Sequence, residues 1–389
     1  MGTESNKLEY SRIDYTLLFL LFLLFIISLV AVYSASGQYF VNDPYYFVKR
    51  QIIWYIIGVG IMFSIMFFDY ELLENLALPF YFLGLSLLVA VHLFGTVRNG
   101  SQRWINLGGF MLQPSEFMKI FLLIVLAGVI YKWAKEKHEL DTKTPISVVV
   151  KIMIYSLPPF GLILLQPDLG TALVIGAIMV TMIFISGTSW RILTLLAGTI
   201  IAGLATLVYL HNNHIELFSK FIKPHQLERI YGWLSREEYA SSYGFQLTEA
   251  LKGIGSGQVS GRGLLEGVQS QSGRIPEVQT DFIFALIGEE FGFIGATLVI
   301  SIYFIMSYRL IIIAISCDNP YGTYLVTGVI GLLAFQIFQN IAMTIGLMPI
   351  TGLALPFMSY GGSALLTNMI AMGIVMSVKY RTKRFMFNY

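Results

Sequence analysis

The sequence predicts an all-α polytopic membrane protein of about ten transmembrane helices, with both termini cytoplasmic and one long extracytoplasmic loop between spans seven and eight. Three observations predict it. The 389 residues are 56% hydrophobic and only 12% charged, against roughly 25% charged in a soluble domain, and mean hydropathy is +0.70. Apolar stretches of the ~20 residues needed to cross a bilayer recur along the chain. Lysine and arginine gather in alternate short loops.

The chain reads as a single integral membrane domain, 1–389, with spans near 14–35, 48–68, 75–95, 115–133, 147–165, 169–187, 190–210, 281–309, 322–345 and 357–378. The first, TLLFLLFLLFIISLVAV (16–32), is longer than the ~7–15 residues of a signal-peptide core and reads as a retained helix. The link at about 211–280 is too polar and glycine-rich to span. Within it, LERIYGWL (227–234) and FQLTEALKGI (245–254) have the periodicity of short interfacial helices.

Orientation follows from charge. With the N-terminus inside, the inner loops and tails hold Lys7, Arg12, Lys132, Lys135, Lys137, Lys143, Lys151, Arg191, Arg309, Lys379, Arg381, Lys383 and Arg384. The short outer loops and adjacent helix ends hold Lys49, Arg50, Arg98, Arg103 and Lys119, and the long outer link is too long to weigh in the count. Those five run against the trend, and ionisable groups at membrane depth are costly enough to be functional candidates. Net charge is +2 with no basic tail or basic helix, so no nucleic-acid partner is expected. Cys317 is the only cysteine, which excludes an internal disulfide. His211 and His214 lie in the outer loop, and two residues do not make a metal site.

Five stretches carry candidate chemistry. In NGSQRWINLGGFMLQPSEFMK (99–119), Pro114 marks a helix start and Glu116 and Lys119 share a helix face. They read either as a structural ion pair or, for Lys119 and Arg103, as holders of an anion. In LLQPDLGTALV (164–174), Asp168 suits a helix cap. LKGIGSGQVSGRGLLEGVQSQ (251–271) lacks the GxxxxGK[ST] pattern; it reads as a flexible linker or as a glycine loop that, with Arg262, wraps a phosphate headgroup. In MTIGLMPITGLALPFMSYGGSALL (343–366), prolines and SYGG interrupt the apolar pattern. A loop re-entering a polar cavity fits, with Ser359 and Ser363 as donors beside Gly361 and Gly362.

The fifth is PEVQTDFIFALIGEEFG (276–292). Asp281 is expected at the outer mouth of the eighth span, as a single general base or a helix-start aspartate. Glu289 and Glu290, eight and nine residues on, are expected ~12–13 Å deeper in one continuous helix, there to neutralise Lys or Arg from neighbouring helices.

Together GSQRWINLG, QPSEFMK, QPDLGTALV, SGTSWR, GSGQVSGRGLLEGVQSQ, IPEVQTDFIFALIGEEFG and LMPITGLALPFMSYGGSALL resemble the SEDS family (RodA, FtsW, SpoVE). The GSQRW, SGTSWR, GVQSQ and SYGGSA wordings are similar to the RodA branch. The resemblance implies a peptidoglycan glycosyltransferase that polymerises lipid II into β-1,4 glycan at the outer face of the bacterial cytoplasmic membrane, for cell elongation and shape. It implies Asp281 as the catalytic aspartate and functional roles for Arg103, Glu116, Lys119 and Asp168. Several relatives carry histidine where this chain has Gln279.

A polyprenyl-diphosphate donor leaves without a general acid. The chemistry then needs positive charge for the leaving group, with Arg103, Lys119 and Arg262 as candidates, and a base for the acceptor hydroxyl. No organic cofactor is expected. A divalent cation, Mg²⁺ or Mn²⁺, would suit the diphosphate, although no metal motif is visible. The implied partners are a class B penicillin-binding protein, which would supply the transpeptidase, and other elongation-complex membrane proteins. Two other classes fit a polar cavity: a transporter of the lipid-linked precursor, or a scaffold for the penicillin-binding protein.

Overall fold

The computed structural model describes residues 13–37, 43, 45–98, 101–106, 108, 111–136, 144–214, 218, 224–239, 241–242 and 244–382. Lys7, Arg12, Lys137, Lys143, Lys383 and Arg384, counted above for orientation, lie outside them.

Among the described residues nine helices are long and apolar enough to cross a membrane. They are α1 (Tyr15–Ser36), α2 (Tyr46–Phe67), α3 (Leu72–Phe94), α4 (Pro114–Glu136), α5 (Ile146–Leu165), α7 (Trp190–Asn213), α12 (Gly292–Ile315), α13 (Pro320–Thr344) and α14 (Gly362–Arg381). A tenth apolar helix, α6 (Leu169–Ile185), is shorter. The expected helices of the long link are present as α8 (Pro224–Leu234) and α9 (Phe245–Gly257), followed by the one-turn α10 (Val268–Gln271).

Polar side chains set several helix starts. Asp14 accepts from the backbone N–H of Leu17 at 3.0 Å and pairs with Arg309 of α12 at 2.9 Å, so one buried carboxylate caps α1 and ties it to α12. Asn319 caps α13, with Pro320 in its first turn. Helices α4, α13 and α14 form the most enclosed part of the bundle. No residue of α7 is buried.

The structure departs from the sequence reading in two places. The loop before α4 folds into a small antiparallel sheet in the order β1 (Thr96–Arg98), β2 (Ser101–Asn106), β3 (Met111–Leu112). Val97 pairs with Gln102 and Ile105 with Leu112. Apart from an isolated bridge between Thr144 and Thr188, this sheet is the one β element among the described residues of an otherwise helical chain.

The expected span 281–309 is also not one helix. A separate helix, α11 (Ile283–Glu290), ends at Phe291, and Gly292, the first residue of α12, has φ +62. A left-handed residue ends a helix, and glycine adopts that conformation without strain. A Cβ at Gly292 would also lie 2.3 Å from the backbone nitrogen of Gly261, so both backbone shape and neighbouring backbone require glycine there.

The loop after α13 is re-entrant. The hydroxyl of Tyr55, nine residues into α2, donates to the Phe357 carbonyl, and that of Tyr303, eleven residues into α12, donates to the Pro356 carbonyl. At 1.5 Å per residue these contacts lie roughly 13–16 Å below the helix ends, about half a bilayer core of ~30 Å. The loop's backbone polar groups are buried in protein rather than lipid, the condition that allows irregular chain at this depth.

Candidate functional site

A cavity of about 470 Å³ opens at the face that carries the small sheet and the α7–α12 link. Arg50 and Trp54 of α2, Arg103 and Trp104 of β2, Glu116 of α4 and Arg229 of α8 contribute to its wall. Glu277, Gln279, Thr280 and Asp281, and the glycines of SYGG, complete it.

Asp281 is delivered by a tight turn. The carbonyl of Glu277 accepts from the backbone N–H groups of Thr280, Asp281 and Phe282 at 3.1, 3.1 and 3.4 Å. The Glu277 carboxylate accepts from Gln279 Nε2 at 3.2 Å and Thr280 Oγ1 at 3.1 Å. This winds Glu277 and Asp281 into one turn. The turn is then held from two sides: Tyr360 donates its N–H to the Gln279 carbonyl at 2.9 Å, and buried Asn340 donates Nδ2 to the carbonyls of Asp281 at 2.8 Å and Leu353 at 2.6 Å. The re-entrant loop and the Asp281 turn thus hang from one amide of α13.

Electrostatics mark Asp281. Burial pushes its carboxyl up to about 6 and the neighbouring Glu277 charge adds to that, while Arg229, Arg103 and a hydrogen bond with Thr280 pull it partly back. A carboxylate tuned toward neutrality and open to a cavity has the properties of a general base.

The other expected residues divide. Arg103 lines the cavity, lies 3.6 Å from Asp168 and donates Nε to the Gln166 carbonyl at 3.2 Å. Asp168 caps α6 through the Thr171 N–H at 3.2 Å and also accepts from Gln113 Nε2 at 3.2 Å. It is therefore both a cap and the support of Arg103. Glu116 borders the cavity, but Lys119 is 1% exposed, bonds Glu116 at 2.7 Å and is not part of the cavity wall. Thr367 donates to the same Glu116 oxygen at 3.1 Å. The pair is closed on itself, so Lys119 is not presented to an anion in the cavity.

Gly361, Gly362 and Ser363 line the cavity. A Cβ at Gly362 would meet the Trp54 ring at 2.6 Å, which keeps α14 close to α2. The Ser363 hydroxyl donates to the Met111 carbonyl and accepts from the Gln113 N–H, tying β3 to α14. Ser359 is spent internally: it accepts from the Leu355 N–H at 2.8 Å and donates to the Thr280 carbonyl at 2.5 Å.

Arg262 is exposed, donates Nε to Ser256 at 2.9 Å and lies outside the cavity wall. The glycine stretch around it is neither a loose linker nor a phosphate cradle. It is a close backbone contact with α11: a Cβ at Gly257 would lie 2.0 Å from the Gly288 carbonyl, and one at Gly261 2.1 Å from the Glu290 carbonyl. The backbone N–H groups of Arg262 and Gly263 donate to the carbonyls of Glu289 and Glu290 at 3.0 Å.

Glu289 and Glu290 correct the expected depth and pairing. Glu290 meets Ser34 in the last turn of α1 at 2.5 Å. The Asp281 turn is tied to Ser359, whose neighbour Met358 accepts from Ser28, six residues and roughly 9 Å further in along α1. The two glutamates therefore lie outward of Asp281, because the chain turns at Gly292 rather than continuing as one span. Among the described residues neither forms an ion pair. Glu289 accepts from the backbone N–H groups of Gln269 and Ser270, both at 2.8 Å, and Glu290 accepts from Gln271 Nε2 at 2.9 Å. They fasten the link to α11 by hydrogen bonds, with no lysine or arginine side chain involved among the described residues.

Sequence reasoning missed Arg229 and Glu277. Arg229 falls on a helix that the sequence did indicate, yet nothing in the spacing says that α8 folds back over the cavity. Glu277 stands in the quoted stretch, four residues before Asp281, and its role depends on the turn. As for a divalent cation, no group of three or more His, Cys, Asp or Glu side chains among the described residues could hold one. Among the described residues, protein ligands alone do not fit a metal.

The comparisons with known proteins agree on one family. The family model described as "Cell cycle protein", for FtsW, RodA and SpoVE, matches residues 15–384. The chain is similar to a probable peptidoglycan glycosyltransferase FtsW of Trichlorobacter lovleyi, 37% identical over 94% of this chain and 92% of the relative. It is also similar to stage V sporulation protein E of Bacillus subtilis, 36% identical over 94% and 96%. Among solved structures, a peptidoglycan synthase complex described as coordinating polymerization and crosslinking contains a chain with TM-score 0.77 and 29% identity, over 94% of this chain and 97% of that one. The rod shape determining protein RodA of Thermus thermophilus gives TM-score 0.68 and 26% identity, over 96% and 98%.

Proposed function

The chain belongs to the FtsW, RodA and SpoVE family of cell-cycle proteins, and from that premise we propose that it is a multi-pass peptidoglycan glycosyltransferase of the bacterial cytoplasmic membrane that polymerises lipid II. The observation that carries this reading is the placement of Asp281: a carboxyl held by a tight turn and Asn340 in the wall of a cavity that also has arginines in its wall, open at one face.

The reaction follows from that arrangement. Asp281 accepts the proton of the acceptor's sugar hydroxyl as the hydroxyl oxygen attacks the anomeric carbon of the donor. The bond from that carbon to the diphosphate oxygen breaks, and the diphosphate leaves with its electron pair. Positive charge held by Arg103 stabilises the leaving group. Asp168 and the Gln166 carbonyl fix the Arg103 fork in place, so little reorganisation is needed when charge develops. In-line displacement inverts the anomeric centre and gives the β-linked glycan. No second carboxylate is required as acid, because diphosphate is a stable leaving group.

The partner in this reading is a class B penicillin-binding protein, in keeping with the similar chain that sits in a synthase complex. The narrower role in elongation rests on the GSQRW, SGTSWR, GVQSQ and SYGGSA wordings; the two curated relatives carry the names FtsW and stage V sporulation protein E. Depletion in a rod-shaped host separates these roles, since rounding of the cells supports elongation and filamentation overturns it.

The activity is tested by purifying the chain with its penicillin-binding partner, adding lipid II and resolving glycan polymer on a gel. Wild type is expected to give polymer and Asp281→Ala none, with folding and partner binding retained. A fully active Asp281→Ala protein sinks the base assignment. Translocation of lipid II without polymer replaces the enzyme with a transporter.

A further inference from the structure

The cavity contains an arginine that the reaction above leaves without a task. Arg229 stands on α8, which is docked by side chains rather than by extensive packing. Arg229 Nη1 donates to the Ile350 carbonyl at 3.2 Å, and Trp233 Nε1 donates to the Gly346 carbonyl at 2.9 Å. Both acceptors belong to the re-entrant loop, which passes close to Asp281 at Gly352, where a Cβ would sit 3.3 Å from Asp281 Oδ2. His211 Nε2 and the Tyr231 hydroxyl, 2.5 Å apart, join α8 to the end of α7.

Three features separate Arg229 from the ion-paired cations of this protein. Arg103, Lys119 and Arg309 each have a carboxylate within ion-pair distance, whereas Arg229 has none among the described residues. Among the described residues one of its five N–H donors is engaged, and the side chain is exposed to the cavity. Its neighbour is another arginine: burial, and after it the Arg103 charge, push the Arg229 guanidinium down, against weaker help from Asp281 and Asp168. Two guanidinium groups at one wall disfavour each other until an anion lies between them. Each fork matches two oxygens of a phosphate group.

We infer that Arg229 is a second anion-binding residue, which α8 carries into the cavity to clasp, with Arg103, the diphosphate of the lipid-linked donor. The identity of the anion rests on the proposed glycosyl transfer; the presence of an anion site rests on the two arginines. The docking of α8 on the re-entrant loop then becomes part of the binding site, because Trp233 holds the helix that presents Arg229.

The test uses the full chain in nanodiscs and inorganic diphosphate as the probe, with binding measured by calorimetry for wild type, Arg229→Gln, Arg229→Lys and Trp233→Phe. Arg229→Gln is expected to weaken diphosphate about 10- to 100-fold, as for loss of charge-assisted hydrogen bonds, with Arg229→Lys in between. Trp233→Phe keeps the charge and the ring and loses one tether; it is expected to weaken binding about threefold to tenfold. Polymer synthesis in the same preparations, with the penicillin-binding partner and lipid II added, separates the two readings. Wild-type diphosphate affinity and wild-type KM for lipid II in Arg229→Gln overturn the inference while leaving the transferase intact. Arg229-dependent diphosphate binding without polymer from the wild type keeps the anion site and overturns the transferase. Unchanged binding in Trp233→Phe overturns the contribution of α8 docking.

Discussion

Glu116 with Lys119, and Asp281 with Arg229, are two acid–base sets at the same cavity, and they are built in opposite ways. Glu116 and Lys119 come from one helix face, bond at 2.7 Å and are almost fully buried. Thr367 satisfies the same carboxylate. Asp281 and Arg229 come from segments far apart in sequence, sense each other's charge without forming an ion pair among those described, and both face the cavity. The first set has spent its charge on the protein; the second keeps it for a ligand. Ionisable groups in a membrane protein are thus not equally informative, and what distinguishes them is whether a partner in the fold already neutralises them.

The comparison breaks if the two sets respond alike to neutralisation. Asp281→Asn is expected to lower polymerisation at least 100-fold, within the range for loss of a general base, while the melting temperature at pH 7 stays level or rises, because a desolvated charge has been removed. Glu116→Gln is expected to do the reverse in origin. It leaves Lys119 buried without its counter-charge and costs about 3–5 kcal/mol of stability, with activity falling only as folded protein is lost. The double variant Glu116→Gln/Lys119→Met is expected to recover most of that stability, and thermal unfolding of wild type, Glu116→Gln, Lys119→Met and the double variant measures the coupling.

The pH dependence sharpens the same contrast. Asp281 must be unprotonated to act as a base, and its carboxyl sits at about 6. Polymerisation is expected to be flat above that value and to fall about tenfold per pH unit below it. The stability effect has the opposite sign. A carboxyl raised from 3.8 to about 6 binds its proton more tightly in the folded state, so folding is favoured at low pH and that contribution is lost as pH rises through about 4 to 6. Asp281→Asn is expected to flatten this stability slope in chemical denaturation across that window. An unchanged slope means that Asp281 titrates normally.

Much of this was legible in the sequence, and the reasons for the rest are physical. The helical polytopic fold, the short link helices and the cavity-facing Arg103 and Asp281 follow from hydropathy, charge placement and motif. The break at Gly292 was obscured because IGEEFGFIG keeps helical periodicity through it; the glycine after Phe291 is the signal for a helix end. The β1–β2 pairing was likewise announced by the Asn99–Gly100 dipeptide, a strong hairpin signal. Arg229 was not legible, since its place depends on where α8 docks. The glycines of 251–271 read as flexibility in sequence because composition does not reveal a close backbone contact; only the nearness of Gly257 and Gly261 to α11 does.

The smallest effect separates a residue that lines the cavity from one that serves it. Ser363 borders the cavity and was expected to donate to a ligand, yet its hydroxyl hydrogen goes to the Met111 carbonyl at 3.2 Å and its oxygen accepts from the Gln113 N–H at 3.1 Å. A hydroxyl so engaged has one remaining lone pair and no proton to offer an anion. Ser363→Ala is therefore expected to cost about 1 kcal/mol of stability, the worth of an ordinary hydrogen bond. The KM for lipid II should stay within about twofold, because no donor to the diphosphate is lost. A rise in KM of tenfold or more with unchanged stability would place Ser363 beside Arg103 as a ligand contact. It would also show that the β3–α14 tie opens when substrate enters.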